Sequence, residues 1–160
     1  MLHIKIYIRL LFPIILLLVM QQAHAAAPSC KKTINLRATQ GAPLSFGDLL
    51  VSGAGNAVVG TNGSRFTNGL IIPANGIVSA AELVVTGCQD TPYSISVQPS
   101  TTLVSGNASM LVDGFTTAPS LGLLDIKGKQ SLFIGATLHV NDAQVAGAYT
   151  GTFLVEVIYQ

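Results

Sequence analysis

Residues able to do chemistry are sparse in this chain. Of its three histidines, His3 and His24 sit in the N-terminal 25 residues, which leaves His139 between Leu138 and Val140. A lone histidine in an apolar run, with no paired base and no nucleophile motif, reads as a solvent-facing or edge group rather than an acid–base catalyst. Gly-x-Ser-x-Gly is absent. Gly53-Ala54-Gly55 has no following helix and no Lys-Ser/Thr pair, so it is a loop rather than a phosphate cradle. The carboxylates Asp48, Glu82, Asp90, Asp113, Asp125, Asp142 and Glu156 are scattered, and Gln89-Asp90 and Asn141-Asp142 read as turns rather than a calcium loop. No catalytic residue, metal site or cofactor is expected. The densest basic feature is Lys31-Lys32, so neither nucleic acid nor an anionic surface is expected as a partner. Arg65-Phe66, read as part of a loop, is the one surface contact the sequence suggests.

The two cysteines, Cys30 and Cys88, carry the clearest covalent chemistry. Their context is an exported chain. Lys5 and Arg9 precede an apolar run from Leu10 to Met20, and Ala23-His24-Ala25 offers the small-x-small pattern that signal peptidase reads. The run is short for a membrane span of about 20 residues. Residues 1–25 are therefore read as a signal peptide and residues 26–160 as one mature domain. An even cysteine count in an oxidising compartment implies a disulfide between Cys30 and Cys88. Closing a loop of roughly 60 residues is worth roughly 4 kcal/mol in the chain-entropy account. Zinc is disfavoured, because two cysteines and His139 lack its close spacing. The destination is the periplasm in transit, then the cell surface or medium.

The elements that must position these residues are short apolar runs separated by turn chemistry. Ser45–Val51, Glu82–Thr86, Tyr93–Val97, Ser131–Ile134, Thr137–Val140 and Thr152–Tyr159 read as strands. Between them lie Gly53-Ala54-Gly55-Asn56, Thr61-Asn62-Gly63-Ser64, Ala74-Asn75-Gly76, the stretch from Cys88 to Pro92, Ser105-Gly106-Asn107 and Asn141-Asp142, which accept positive φ at low cost. Tyr93, Ile95 and Val97 should face the core, with Ser94 and Ser96 outward. No helical periodicity follows the leader. The fold expected is all-β, an immunoglobulin-like sandwich. With Lys5 and Arg9 gone, six basic residues face seven acidic ones. So few charges protect strand edges weakly.

Several blocks resemble a known family. Leu44-Ser45-Phe46-Gly47, Val85-Thr86-Gly87, the stretch from Ser109 to Phe115, that from Ile134 to Val140, and that from Gly147 to Phe153 are similar to the secreted bacterial domain-of-unknown-function family 4402. That family resembles spore coat protein U domains and the pilins of chaperone–usher systems. The resemblance implies a pilin-like subunit of a pilus, fimbria or coat, completed by β-strand pairing. It implies as partners a periplasmic assembly chaperone, an outer-membrane usher and like subunits. By analogy with pilin C-termini, Gly147, Phe153, Val155, Val157 and Tyr159 would form the pairing strand. Only Ala26 to Ser29 precede Cys30 in the mature chain, and four residues reach at most roughly 14 Å. A donor strand would therefore come from Thr33–Thr39, or the subunit does not donate. The alternative is a self-complete, non-enzymatic ligand-binding module in the periplasm or medium.

Overall fold

A computed structural model describes residues 37–160 as twelve strands, with no helix among them. The expected signal peptide, residues 1–25, and Cys30 lie outside the described residues. The strands are β1 (Arg37–Gln40), β2 (Ser45–Phe46), β3 (Leu49–Val59), β4 (Arg65–Pro73), β5 (Val78–Ser79), β6 (Ala81–Thr86), β7 (Pro92–Val97), β8 (Ser100–Ser105), β9 (Ala108–Ala118), β10 (Gly122–Leu123), β11 (Lys129–Val140) and β12 (Val155–Tyr159). The all-β expectation therefore holds.

The organising strand is β11. Leu132, Ile134, Ala136, Leu138 and Val140 alternate along it and are all buried. Burying the Leu, Ile and Val side chains among these contributes roughly 1.5–3 kcal/mol each, which is why this strand sits at the centre. Its first half pairs with β6 and its second half with β3, while its other edge pairs with β9. With β1, β4 and β8 added, this makes a curled seven-stranded sheet. The sequence reads Ser131–Ile134 and Thr137–Val140 as two strands. They are one, because Gly135 packs its bare Cα against the Val59 carbonyl, where a Cβ would collide.

A second correction concerns Gly53–Asn56, expected as a turn. These residues lie inside β3, at a register shift between Val51 and Gly55. Opposite them Gly69 adopts φ +74°, and a Cβ there would come within 2.5 Å of the Ala54 carbonyl oxygen. A bulge of this kind bends a two-stranded ribbon sharply. Arg65 reports how sharply. Its guanidinium Nη2 donates to the carbonyl of Ala74, nine residues on, at 2.8 Å. Nine extended residues would span about 30 Å, so the β3–β4 ribbon has folded back on itself. Nη1 donates to the carbonyls of Phe46 and Asp48 at 2.7 and 2.9 Å. Arg65 therefore opens a strand and clamps backbone, rather than standing in a loop as a surface contact. Phe66 beside it is exposed.

The smaller sheet has the order β10-β7-β12. β7 and β8 form one run of chain interrupted at Gln98-Pro99, so it passes from the small sheet into the large one. The C-terminal segment follows that run antiparallel. Thr150 and Val104 exchange backbone bonds at 2.8 and 3.0 Å, the Gln98 N–H donates to the Leu154 carbonyl at 3.1 Å, and β12 then pairs with β7 from Val155↔Val97 to Tyr159↔Tyr93. Two hydrophobic clusters result. One gathers Phe46, Val59, Met110, Val112 and Leu138, and the other Val85, Tyr93, Leu124, Leu132 and Ile134, with Leu44 and Phe115 touching both. Tyr93 is buried as expected, and Ile95 and Val97 pack against the second cluster. The Tyr93 phenol donates to Gln130 Oε1 at 2.8 Å. Burial pushes its pKa above the usual tyrosine value.

Candidate functional site

The first cluster is open on one side. A cleft of about 1180 Å³ runs over the inner face of the large sheet. Its floor is Ala81 and Leu83 of β6, Met110 and Val112 of β9, and Leu138 and Val140 of β11. These point inward because strand side chains alternate. One wall is the segment from Pro43 to Val51 and the other the segment from Gln144 to Val155. The first wall is held by the Arg65 clamp and by β2–β5 pairing. The second is held by Tyr149, whose hydroxyl donates to the Val145 carbonyl at 2.6 Å and accepts from Gln144 Nε2 at 2.7 Å.

The lining contains one charged residue, Asp48, which is exposed. Its hydroxyls are largely committed. Ser45 Oγ donates to the Ile77 carbonyl at 2.6 Å, and Thr101 Oγ1 to the Thr152 carbonyl at 2.6 Å. An apolar trough with no base, nucleophile or cation set suits burial of apolar side chains and main-chain hydrogen bonding rather than bond-breaking chemistry. β12 stands at the edge of its sheet, so one of its sides has no strand partner among the described residues.

Each residue predicted for strand pairing has a definite place. Val155, Val157 and Tyr159 lie in β12; Val155 and Val157 pack on the second cluster, whereas Glu156 and Ile158 face outward. Phe153 precedes the strand and stacks on Phe115, with ring centroids 5.0 Å apart and planes at 29°. Tyr159 brings the hydroxyl end of its ring against Gly87, and that hydroxyl accepts the Cys88 N–H at 3.4 Å. Gly147 stands apart. It occupies a bend ahead of the strand, against Ser105 Oγ, and contributes to the cleft wall. Of the segment Thr33–Thr39 considered as donor, Arg37, Ala38 and Thr39 are already paired with Thr86, Val85 and Val84 of the same molecule.

Cys88 is buried just past β6, and no cysteine among the described residues is free. His139 Nε2 lies 2.7 Å from Asp113 Oδ1 on the outer face of the large sheet, both side chains being 37% exposed. This pair was not foreseen, since Asp113 and His139 meet only through the β9–β11 register.

Sequence reasoning missed the part of the cleft floor that β9 supplies. Met110 and Val112 sit in β9, a strand the sequence did not mark, because its apolar alternation is diluted by Asp113, Gly114 and a threonine pair. A signal was present nonetheless. Four of the blocks carrying the family resemblance, those beginning at Leu44, Ser109, Ile134 and Gly147, all supply lining residues.

The family model described as "Domain of unknown function (DUF4402)" matches residues 36–159. No curated protein and no solved structure matches the chain.

Proposed function

The chain belongs to the DUF4402 family, and on that footing we propose that it is an exported structural subunit that accepts a β-strand from another chain and so completes an immunoglobulin-like, pilin-like sandwich. The observation that carries this reading is the cleft, a trough into the core with Asp48 its one charged lining residue, flanked by the end of an edge strand. Its 1180 Å³ exceeds the roughly 300–1,000 Å³ of ordinary small-molecule sites. An incoming strand of about seven residues would span about 23 Å, bonding through its main chain while alternate side chains fill the trough. In this reading Val155, Val157 and Tyr159 hold the receiving edge, Phe153 and Gly147 shape its approach, and a Cys30–Cys88 disulfide staples the mature chain. Export, an assembly chaperone and usher in transit, and incorporation into a surface pilus, fimbria or coat all belong to the same proposal.

The test is a denaturing gel of the cell-surface fraction, heated and unheated, probed for this chain. A donated strand becomes part of each core and resists detergent until heated. A ladder that collapses to one band on heating is the expected result. A monomer band in both lanes overturns the reading and favours the self-complete module.

A further inference from the structure

Asparagine precedes glycine at Asn62-Gly63, Asn68-Gly69 and Asn75-Gly76. In such a pair the glycine nitrogen can attack the asparagine Cγ, because no Cβ on the glycine blocks the approach. The new C–N bond closes a succinimide ring, and the side-chain nitrogen leaves as ammonia. Solvent water then opens the ring at either carbonyl. One product is an aspartyl residue. The other is an isoaspartyl residue, in which the main chain runs through the former side chain. The reaction needs a glycine N–H open to solvent base and a carboxamide free to swing onto it.

The fold separates the three pairs on those two requirements. At the first, the Gly63 N–H donates to the Gly60 carbonyl at 2.9 Å, and Asn62 Oδ1 accepts the Ser64 N–H and hydroxyl at 3.0 and 2.6 Å. Both reacting groups are held. At the second, Asn68 Oδ1 accepts the Asn56 N–H at 3.1 Å, and Gly69 stands in the β3–β4 ladder opposite Gly55. The third differs on each count. Asn75 and Gly76 are exposed and lie in the bend between β4 and β5, outside any ladder. Neither the Gly76 N–H nor the Asn75 carboxamide has a hydrogen-bond partner among the described residues.

The same bend pins a wall of the cleft. The Asn75 carbonyl accepts the Asp48 N–H at 2.9 Å, and the Ala74 N–H donates to the Asp48 carbonyl at 3.0 Å. The Asp48 carboxylate lies against Gly76, where a Cβ would come within 3.0 Å of Oδ2. An isoaspartyl link adds a methylene to the main chain between residues 75 and 76. It also leaves the former Asn75 carbonyl as a carboxylate close to that of Asp48, so like charges meet where the wall was pinned.

We propose that Asn75-Gly76 is a self-modification site, at which the folded chain converts Asn75 to isoaspartate and aspartate and so loosens the Pro43–Val51 wall of the cleft as the protein ages. This chemistry goes beyond strand acceptance and does not depend on it.

Incubation of the purified exported chain in neutral buffer, followed by proteolysis and fragmentation mass spectrometry, tests the site. Asn75 should show the amide-to-acid mass gain at least about tenfold faster than Asn62 or Asn68. In concentrated urea the three rates should converge, since the fold no longer separates them. Equal rates in the folded chain, a faster Asn62 or Asn68, or an Asn75 that converts only in urea overturns the assignment. Amide exchange tests the loosening. The Asp48 N–H should lose protection in the aged wild type and keep it in aged Asn75→Gln, which retains the main-chain carbonyl but would need a larger, slower-closing ring. Unchanged protection in converted wild type overturns the loosening. Neither measurement uses the heat-labile ladder, so failure of strand acceptance is scored apart from failure of this site.

Discussion

Replacing Arg65 should unfasten one wall of the cleft. Arg65→Met keeps the aliphatic stem and removes three charge-assisted hydrogen bonds to the carbonyls of Phe46, Asp48 and Ala74. Hydrogen bonds to a charged group are worth roughly 1.5–3 kcal/mol each in full. The site is only half-buried, so water recovers part of the carbonyl solvation. A net loss of about 2–4 kcal/mol follows. For a domain of this size each kcal/mol lowers Tm by roughly 3–6 °C, so the expected drop is roughly 6–24 °C. Arg65→Lys should lose nearly as much, because an ammonium cannot present the flat fork that reaches three carbonyls. Chemical denaturation gives the free energy. Amide exchange gives the location, since the Asp48 N–H bonded to the Asn75 carbonyl and the Ala74 N–H bonded to the Asp48 carbonyl should lose protection before the β11 amides do. A change within 0.5 kcal/mol, or loss of protection spread evenly over β11, refutes the clamp.

Three further outcomes follow from the same geometry. Phe153→Ala removes the ring stacked on Phe115 and should cost about 2 kcal/mol in denaturant unfolding, less than a fully buried Phe because the ring is half-exposed. Tyr93 has its pKa raised in the folded state by burial. Folding therefore holds that proton more tightly than the unfolded chain, so its contribution is intact below about pH 10 and is lost as pH rises through the folded value. Tyr93→Phe should flatten that alkaline decline in a pH series of thermal melts. Tyr159→Ala removes the phenol end that abuts Gly87 and the acceptor of the Cys88 N–H. It should abolish the heat-labile ladder while the monomer still melts cooperatively, and a normal ladder from this variant refutes a role for the end of β12.

Local chemistry made part of this molecule readable. Alternating Tyr93, Ile95 and Val97 set the core face of β7 through a period of two, and no context reverses such a pattern once one face is buried. The turns at Asn62-Gly63 and Gly106-Asn107 were equally legible, because positive φ is a property of the residue itself. The family blocks were also readable in sequence, and the match over residues 36–159 agrees with them. Gly53–Asn56 and Gly135-Ala136 misled, because a glycine that opens a turn and one that admits a neighbouring carbonyl look identical in one dimension.

Residue pattern and composition by themselves therefore determined the strand-rich class and the sparse charge. The cleft, the Arg65 clamp and the Asp113–His139 pair were decided only by tertiary structure. Each joins residues distant in sequence whose approach depends on strand order and register, and Asp113 meets His139 only because β9 lies against β11. A strand's own sequence specifies which side chains share a face, but not which neighbour lies beside it. Only the folded sheet shows that Met110, Val112, Leu138 and Val140 form the floor of an open trough.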